Sequence, residues 1–341
     1  MASSGFVAIQ DLSFCPCSEV QEGRQGCQCG GSLGIAGCSS DLAARKKTID
    51  TLKATKNQTK TACLLRLSFS QIHGVMTRAV ARGMAKRDPK KVYRHVCLDE
   101  KSVGRGQLYV GILYDGDTGA VIDATDGRKS DDTNTLCEKA LTENQRMQVE
   151  TICTDMWEPF IKAAKKYFPN AKHCHDLYHC VTYLNEAVDK YRRWETKTNP
   201  MLKGSKWIWL KDQSNYTDKQ QAMYDKLMAC NLKIAKVWAV KEQFRTLIQQ
   251  EYAGDMEAYL YFSMWFDDAI ALKSSAMEAV AFTFKRHLKG IVRAMVTKAN
   301  NGKAERMNGS IQEIRTIGRG YATAKRFRTA ILFFYGDLDL Y

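Results

Sequence analysis

The sequence lacks any run of about 18 consecutive apolar residues, the minimum for a membrane-spanning helix. Its first residues also lack the basic segment followed by an apolar segment that marks a secretory signal peptide. Acidic residues are in the minority, with 37 Asp and Glu against 51 Lys and Arg among 341 residues, and the formal net charge is +14. These absences predict an intracellular, cytoplasmic protein that has no membrane partner.

The composition predicts a folded chain. Apolar residues make up 45% of the sequence and aromatic residues 10%, which excludes a disordered basic tail. The length allows roughly two domains with a sizeable core. A folded protein of this charge favours a polyanionic partner such as nucleic acid, because binding to phosphates releases counterions. Net charge alone does not establish that partner.

The first forty residues lack the cysteine spacing of a zinc site. Residues 1–40 are rich in Gly, Ser and Cys and show neither helical nor strand periodicity. Cys15 and Cys17 form one pair and Cys27 and Cys29 another, each with one intervening residue, whereas zinc ligand pairs normally leave two to four. The spacing favours a degenerate segment, and a zinc ion held by these four thiols is the alternative.

Residues 41–90 show helical periodicity with one short break after Leu65. Ser70 can cap the second helix, along which apolar residues recur on one face. Two short helices joined by a turn of three or four residues fit a helix-turn-helix. The polar face of the second helix could meet a DNA groove through four side chains: Gln71, His73, Arg78 and Arg82. A helical hairpin packed on the next domain is the alternative.

The rest of the chain predicts an α/β core that is interrupted by helices. Residues 91–195 show the order β-β-β-α-β-α-β-α, which is typical of an α/β fold with a mixed sheet. Strand patterns disappear over residues 196–298, which predicts an all-helical insertion. Residues 299–341 contain a basic helical segment and an apolar end.

Two aspartates lie where predicted core strands end. Asp99 ends the first strand, and Asp155 ends the fourth. If these strands are neighbours, the two carboxylates lie side by side and repel each other unless a cation lies between them. Oxygen ligands select Mg²⁺, with Mn²⁺ as a substitute. For either aspartate alone, a helix cap or a turn is the alternative.

Glu305 is the candidate for the third carboxylate ligand. It lies near the start of a helix, and Asn308 shares its face one turn later. Four nearby cations are candidates for phosphate contacts: Lys303, Arg306, Arg315 and Arg319. By itself, a Glu in a basic helix is usually a solvated partner of a neighbouring cation.

An ordered series of motifs resembles the DDE transposases of bacterial insertion sequences, in the ISL-three family. The series covers roughly residues 60–336. Its main matching segments are Leu98-Asp99-Glu100-Lys101-Ser102, Thr154-Asp155-Met156-Trp157, Asp176-Leu177-Tyr178-His179, and Glu305 with Asn308. The chain departs from the family at its short N-terminal segment, interpreted as a degenerate zinc ribbon, and at Arg306, where the family usually has a small residue.

The resemblance implies an RNase H-like core in which Asp99, Asp155 and Glu305 bind two Mg²⁺ ions and catalyse DNA cleavage and strand transfer. It implies supporting roles beside this triad for Asp176, His179 and Asn308, although a zinc site that includes Asp176 and His179 is an alternative. Lys101 and Arg105 are added to the candidate DNA contacts.

The implied partners are the terminal inverted repeats of the element, target DNA, and a second copy of the chain or more on DNA. The implied location is the bacterial cytoplasm, at the nucleoid. An inactive or domesticated copy that only binds DNA is the competing hypothesis.

Overall fold

The computed structural model describes residues 36–102, 109–127 and 129–341, with side chains from residue 41 onward. The chain divides into two units, residues 1–44 and 45–341, and the whole sheet belongs to the second. Five residues of the sequence predictions lie outside the described part: Cys15, Cys17, Cys27, Cys29 and Arg105.

The chain begins its described part with three helices. They are α1 (Ala36–Thr55), α2 (Gln58–Leu65) and α3 (Phe69–Ala85). Helix α3 starts earlier than predicted, because Ser68 rather than Ser70 caps it. Ser68 and Gln71 form a reciprocal capping box. The predicted apolar face of α3 is buried, and it comprises Ile72, Val75, Met76, Ala79 and Val80.

The sheet is mixed, as the sequence predicts. Its strands are β1 (His95–Ser102), β2 (Tyr109–Asp115), β3 (Val121–Asp126), β4 (Thr151–Thr154) and β5 (Lys172–His175). Their spatial order is β3-β2-β1-β4-β5. Strands β1, β2 and β3 form an antiparallel meander, whereas β4 and β5 continue from β1 in parallel. The first and fourth strands are therefore neighbours.

Each face of the sheet is covered by helices. Helices α4 (Ser130–Ala140), α5 (Glu143–Met147), α6 (Glu158–Tyr167) and α7 (Leu177–Glu195) alternate with the last strands. Helices α4 and α6 pack on one face, where alternate residues of β1 such as Val96 and Leu98 are buried. Cys97 and the buried residues in register with it face the opposite side, which lies in the larger core.

Helices fill the chain between α7 and residue 298. They are α8 (Lys206–Leu210), α9 (Asp218–Met228), α10 (Lys233–Gln249), α11 (Asp255–Ala271), α12 (Ser275–Arg286) and α13 (Leu288–Thr297). Helices α10 and α12 pack on α7, and α13 packs on β5. A buried aromatic cluster that includes Phe244, Trp265 and Phe284 joins three of them.

The chain then returns to the sheet through α14 (Gly302–Ile317) and α15 (Ala324–Tyr335). Helix α15 packs on β3 and α3, and Arg328 on it forms a salt bridge with the buried Asp123 of β3. Helix α14 contacts β1 on the face that Cys97 occupies. This return brings Glu305 to the middle of the sheet.

Two further findings concern membrane-spanning helices and the thiols of the described residues. Within the described ranges, no helix is long and apolar enough to cross a membrane. The cysteines that the structure describes, from Cys63 to Cys230, are free thiols, and five of them are buried. Burial raises the pKa of the Cys97 thiol to about 12, so this group stays neutral.

Candidate metal-dependent active site

Three aspartates lie in one row across the parallel strands. Leu98 of β1 pairs with Thr154 of β4, which pairs with His175 of β5, and each of these residues is followed by an aspartate. The N–H of Asp176 donates to the carbonyl of Thr154 at 2.8 Å, so the pairing continues into this row. Neighbouring strands are about 4.8 Å apart, and Asp99, Asp155 and Asp176 are therefore side by side.

One detail of the prediction is wrong. Asp99 does not end its strand, because β1 continues to Ser102 along its antiparallel partner β2. What ends beside Asp99 is the parallel pairing with β4, which runs from His95 to Leu98. The two aspartates still meet, since the register rather than the strand end aligns them.

A pair of hydrogen bonds holds Asp99 in place. Its carboxylate accepts from the backbone N–H of Glu100 and from the side-chain amide of Asn308, both at 2.8 Å. The Asn308 oxygen in turn accepts from the hydroxyl of Tyr114 at 2.6 Å. Asp99 is 4% exposed, and burial raises its pKa, although these hydrogen bonds and His179 oppose the shift.

Asp155 follows β4 in the loop that leads into α6. Its carboxylate accepts from the backbone N–H of Trp157 at 2.7 Å, which fixes the side chain at the entrance of the helix. Burial raises the pKa of Asp155, and the negative charges of Asp99 and Asp176 raise it further. His179 acts in the opposite direction.

Asp176 caps α7 and faces His179, one turn along the helix. Its carboxylate Oδ1 accepts from the N–H of Tyr178 at 3.2 Å. The side chain is 1% exposed, and burial raises its pKa. Among the described atoms its Oδ2 has no hydrogen-bond partner, and His179 Nε2 lies 3.8 Å away.

Glu305 reaches the same place from the first turn of α14. Burial raises the pKa of Glu305 to about 7, and the charges of Asp176 and Asp99 add to this shift. Its Oε1 is buried and also lacks a hydrogen-bond partner in the part of the chain described. Ligand atoms of Asp176, His179 and Glu305 all lie within 4.8 Å of one another.

These residues fit a divalent cation. Like charges this close raise each other's pKa unless a positive charge lies between them. Asp176 Oδ2 and Glu305 Oε1 are buried and have no hydrogen-bond partner within the described residues, and such carboxylate oxygens are the donors that this ion requires. The carboxylates of Asp99 and Asp155 lie in the adjacent positions of the same row.

The candidate DNA contacts of α3 have mixed surroundings. Arg78 is exposed. The Gln71 amide oxygen accepts from the N–H of Ser68, and Arg82 donates to the carbonyl of Leu340 at 3.0 Å, so both have partners within the protein. His73 stacks on Phe69 in the first turn of the helix.

The candidate contacts near Glu305 are more accessible. Lys303, Arg306 and Arg319 are exposed, whereas Arg315 and Lys101 are partly buried. The Lys303 ammonium donates to the backbone carbonyl of Asp117, in the turn between β2 and β3.

Two features of the site were missed from the sequence. Tyr114, which holds Asn308, lies on β2 in a run of apolar residues that carries no sign of its role. The other feature had a signal, a Cys-x-Asp triplet repeated on three strands: Cys97 to Asp99, Cys153 to Asp155 and Cys174 to Asp176. The three cysteines pair with one another across the sheet, so the repeat places Asp176 in the same row as the other two aspartates.

The mixed sheet brings Asp99, Asp155 and Asp176 into one row, and α14 adds Glu305 to them. These features define a protein with a candidate catalytic metal centre. The chain belongs to the ISL-three (ISL3) family of DDE transposases, whose family model, described as a transposase, matches residues 96–331. The resemblance found in the sequence is thereby confirmed.

Two similar proteins carry the same description. The transposase for insertion sequence element IS1001 of Bordetella parapertussis is 23% identical over 266 residues, covering 75% of this chain and 64% of the relative. The transposase for insertion sequence element IS1557 of Mycobacterium tuberculosis is 21% identical over 302 residues, covering 80% of this chain and 67% of the relative. The chain thus spans about two thirds of the length of these relatives.

Proposed function

We propose that this protein is a transposase that binds the terminal inverted repeats of an insertion sequence and catalyses DNA cleavage and strand transfer with divalent cations. The observation that carries the proposal is the arrival of Glu305 at the row of aspartates. Asn308, on the same helix, donates to Asp99 across 209 positions of sequence. If Glu305 were only a solvated partner of a neighbouring cation, its helix would not need to lie beside the row of aspartates.

The strand order supports an RNase H-like core. The sheet is an antiparallel meander β3-β2-β1 extended by parallel β4 and β5, and the family resemblance implies a core of the RNase H-like class. The helices of residues 196–298 then form an insertion before the last carboxylate, and α2 with α3 form a helix-turn-helix ahead of the core.

Asp99, Asp155 and Glu305 are the proposed ligands of Mg²⁺, with Mn²⁺ as a substitute. Bound there, the ions would activate a water or a 3′-hydroxyl and neutralise charge on the phosphate. The chain's own contribution is orientation: Tyr114 holds Asn308, and Asn308 holds one oxygen of Asp99. Glu305 must lose its proton before it can act as a ligand.

The basic side chains are proposed to position the DNA. Exposed cations at Lys303, Arg306 and Arg319 lie on or just after the helix that carries Glu305, where they could contact phosphates beside the reacting strand. Arg78 on α3 is the proposed contact of the helix-turn-helix. We place the protein at the bacterial nucleoid, assembled as a dimer or larger on paired ends.

The test is strand transfer by the purified protein on a labelled duplex that carries the element's end, with Mg²⁺ or Mn²⁺. Asp155→Asn should abolish nicking and joining, because it removes the negative charge of a proposed metal ligand. The replacement keeps the side-chain shape, so the fold should be unaffected. Asp267→Asn, on the exposed face of α11, is the matched control and should behave like the wild type. End binding without cleavage in either metal would refute the enzyme and support an inactive DNA-binding copy.

A further inference from the structure

We infer that Asp176 and His179 are direct ligands of a divalent cation together with Glu305, and that they do not merely support the other carboxylates. The ion belongs to the class that accepts one imidazole nitrogen and carboxylate oxygens, for which Mn²⁺ is the probe. The inference deepens the proposed function and rests on it for the ion's role in catalysis.

The separation of the donor atoms suits one ion. Ligands of a small divalent cation lie at most about 4.2 Å apart, which is twice a bond length of about 2.1 Å. His179 Nε2 and Asp176 Oδ2 are 3.8 Å apart, which is within that limit but too long for a hydrogen bond. The ligand atoms of Asp176, His179 and Glu305 all lie within 4.8 Å of one another, so side-chain rotations that move these atoms by a few tenths of an ångström would bring all three within reach of one ion.

The burial of Asp176 argues for a ligand. The side chain is 1% exposed, and its Oδ1 and Oδ2 have different surroundings. Oδ1 accepts a helix-capping hydrogen bond from Tyr178, whereas Oδ2 has no partner among the described atoms. Among the described atoms, this oxygen is unpaired beside Glu305 Oε1, which is also buried and unpaired, and such an arrangement is strongly unfavourable without a cation.

The local sequence explains how the donors are held. Asp176 is the N-cap of α7 and His179 lies one turn later, so both side chains lie on the same face of the helix. Leu177, Cys180 and Leu184 anchor that helix in the core. The ligands are therefore positioned by a rigid element rather than by a loop.

The donor set also predicts metal preference. Imidazole nitrogen suits transition metals, whereas Mg²⁺ prefers oxygen ligands and retains water. We expect the site to bind Mn²⁺ more tightly than Mg²⁺. His179→Gln should reduce that preference, because the replacement offers an oxygen where the imidazole offered a nitrogen.

The experiment is pulsed electron paramagnetic resonance of the full chain loaded with one equivalent of Mn²⁺ and without DNA. The wild type should show coupling of Mn²⁺ to a histidine nitrogen, and ¹⁵N-histidine labelling should change the coupling. His179→Gln should abolish it. A histidine that acted only from outside the ligand sphere would not give this signature, so affinity alone is not the readout.

Two further variants test the carboxylate. Asp176→Asn should weaken Mn²⁺ affinity at least ten-fold while the helix stays capped, because Asn is as good an N-cap as Asp. Glu186→Gln makes the same charge change at an exposed site on the same helix and should leave affinity and spectrum unchanged. Circular dichroism would establish that each variant folds.

The failures of the two proposals can be told apart. Absence of Mn²⁺ binding, absence of histidine coupling, or unchanged affinity in Asp176→Asn would overturn the inference, even if Asp155→Asn abolished strand transfer. Histidine coupling that is lost in His179→Gln would support the metal site, even if no strand transfer were detected.

Discussion

The link from Tyr114 through Asn308 to Asp99 gives the sharpest test of how the site is built. Asn308→Ala removes two hydrogen bonds, of 2.8 and 2.6 Å, and leaves a carboxylate oxygen and a phenol hydroxyl unpaired at buried positions. Each unpaired buried group costs about 1–3 kcal/mol, so for the two groups we expect a loss of about 2–6 kcal/mol in the free energy of unfolding. Tyr114→Phe removes one bond, and we expect about 1–2 kcal/mol.

The assay is urea denaturation of the metal-free protein, with both single variants and the double variant. The double variant should cost little more than Asn308→Ala alone, because Tyr114 acts through Asn308. Asn144→Ala, at an exposed position on α5, is the control and should change the free energy of unfolding by less than about 0.5 kcal/mol. Additive effects of the two variants, or an unchanged stability in Asn308→Ala, would refute this coupling.

Three other predictions concern charge and packing. The pKa of Glu305 is raised to about 7, so the folded protein favours the protonated side chain. The stability that this side chain contributes to the metal-free protein is present at low pH and is lost as the pH rises from 4.5 to about 7. Thermal unfolding across this range should therefore show a weaker pH dependence in Glu305→Gln than in the wild type. Gly290→Ala should destabilise the protein by about 1–3 kcal/mol in urea denaturation, because the new Cβ would lie 2.4 Å from the ring of His175, and an unchanged stability would contradict this packing. Arg306→Gln should lower affinity for all duplexes alike and reduce the dependence of log K on log salt by about 1 in titrations, and an unchanged salt dependence would exclude a phosphate contact.

The secondary structure could be predicted because it follows from local periodicity. The described strands and helices of residues 91–195 follow the predicted order, with the short helix α5 as the one addition. The start of α3 differs from the predicted cap at Ser70, since the capping box at Ser68 depends on the side chain of Gln71 and two serines compete for the cap. Such competition is decided by side-chain contacts that periodicity does not describe.

That Asp99 and Asp155 lie side by side could be predicted only on the assumption that their strands are neighbours. Asp99 lies within one recognisable strand and Asp155 directly follows another, but their meeting requires that β1 and β4 are neighbours, which pairing between distant segments decides. The Asn308 link to Asp99 lies beyond any local pattern, because it joins residues that are 209 positions apart.

By itself, the sequence determined the class of fold, the acidic and basic residues available to a site, and the family resemblance. These properties reside in residue type, spacing and order along the chain. Only the tertiary structure decided that Asp176 shares the row of Asp99 and Asp155, and that its Oδ2 faces His179 without a hydrogen-bond partner in the described chain. The physical reason is that register, burial and unpaired charge arise when separate elements pack, and no single segment contains them.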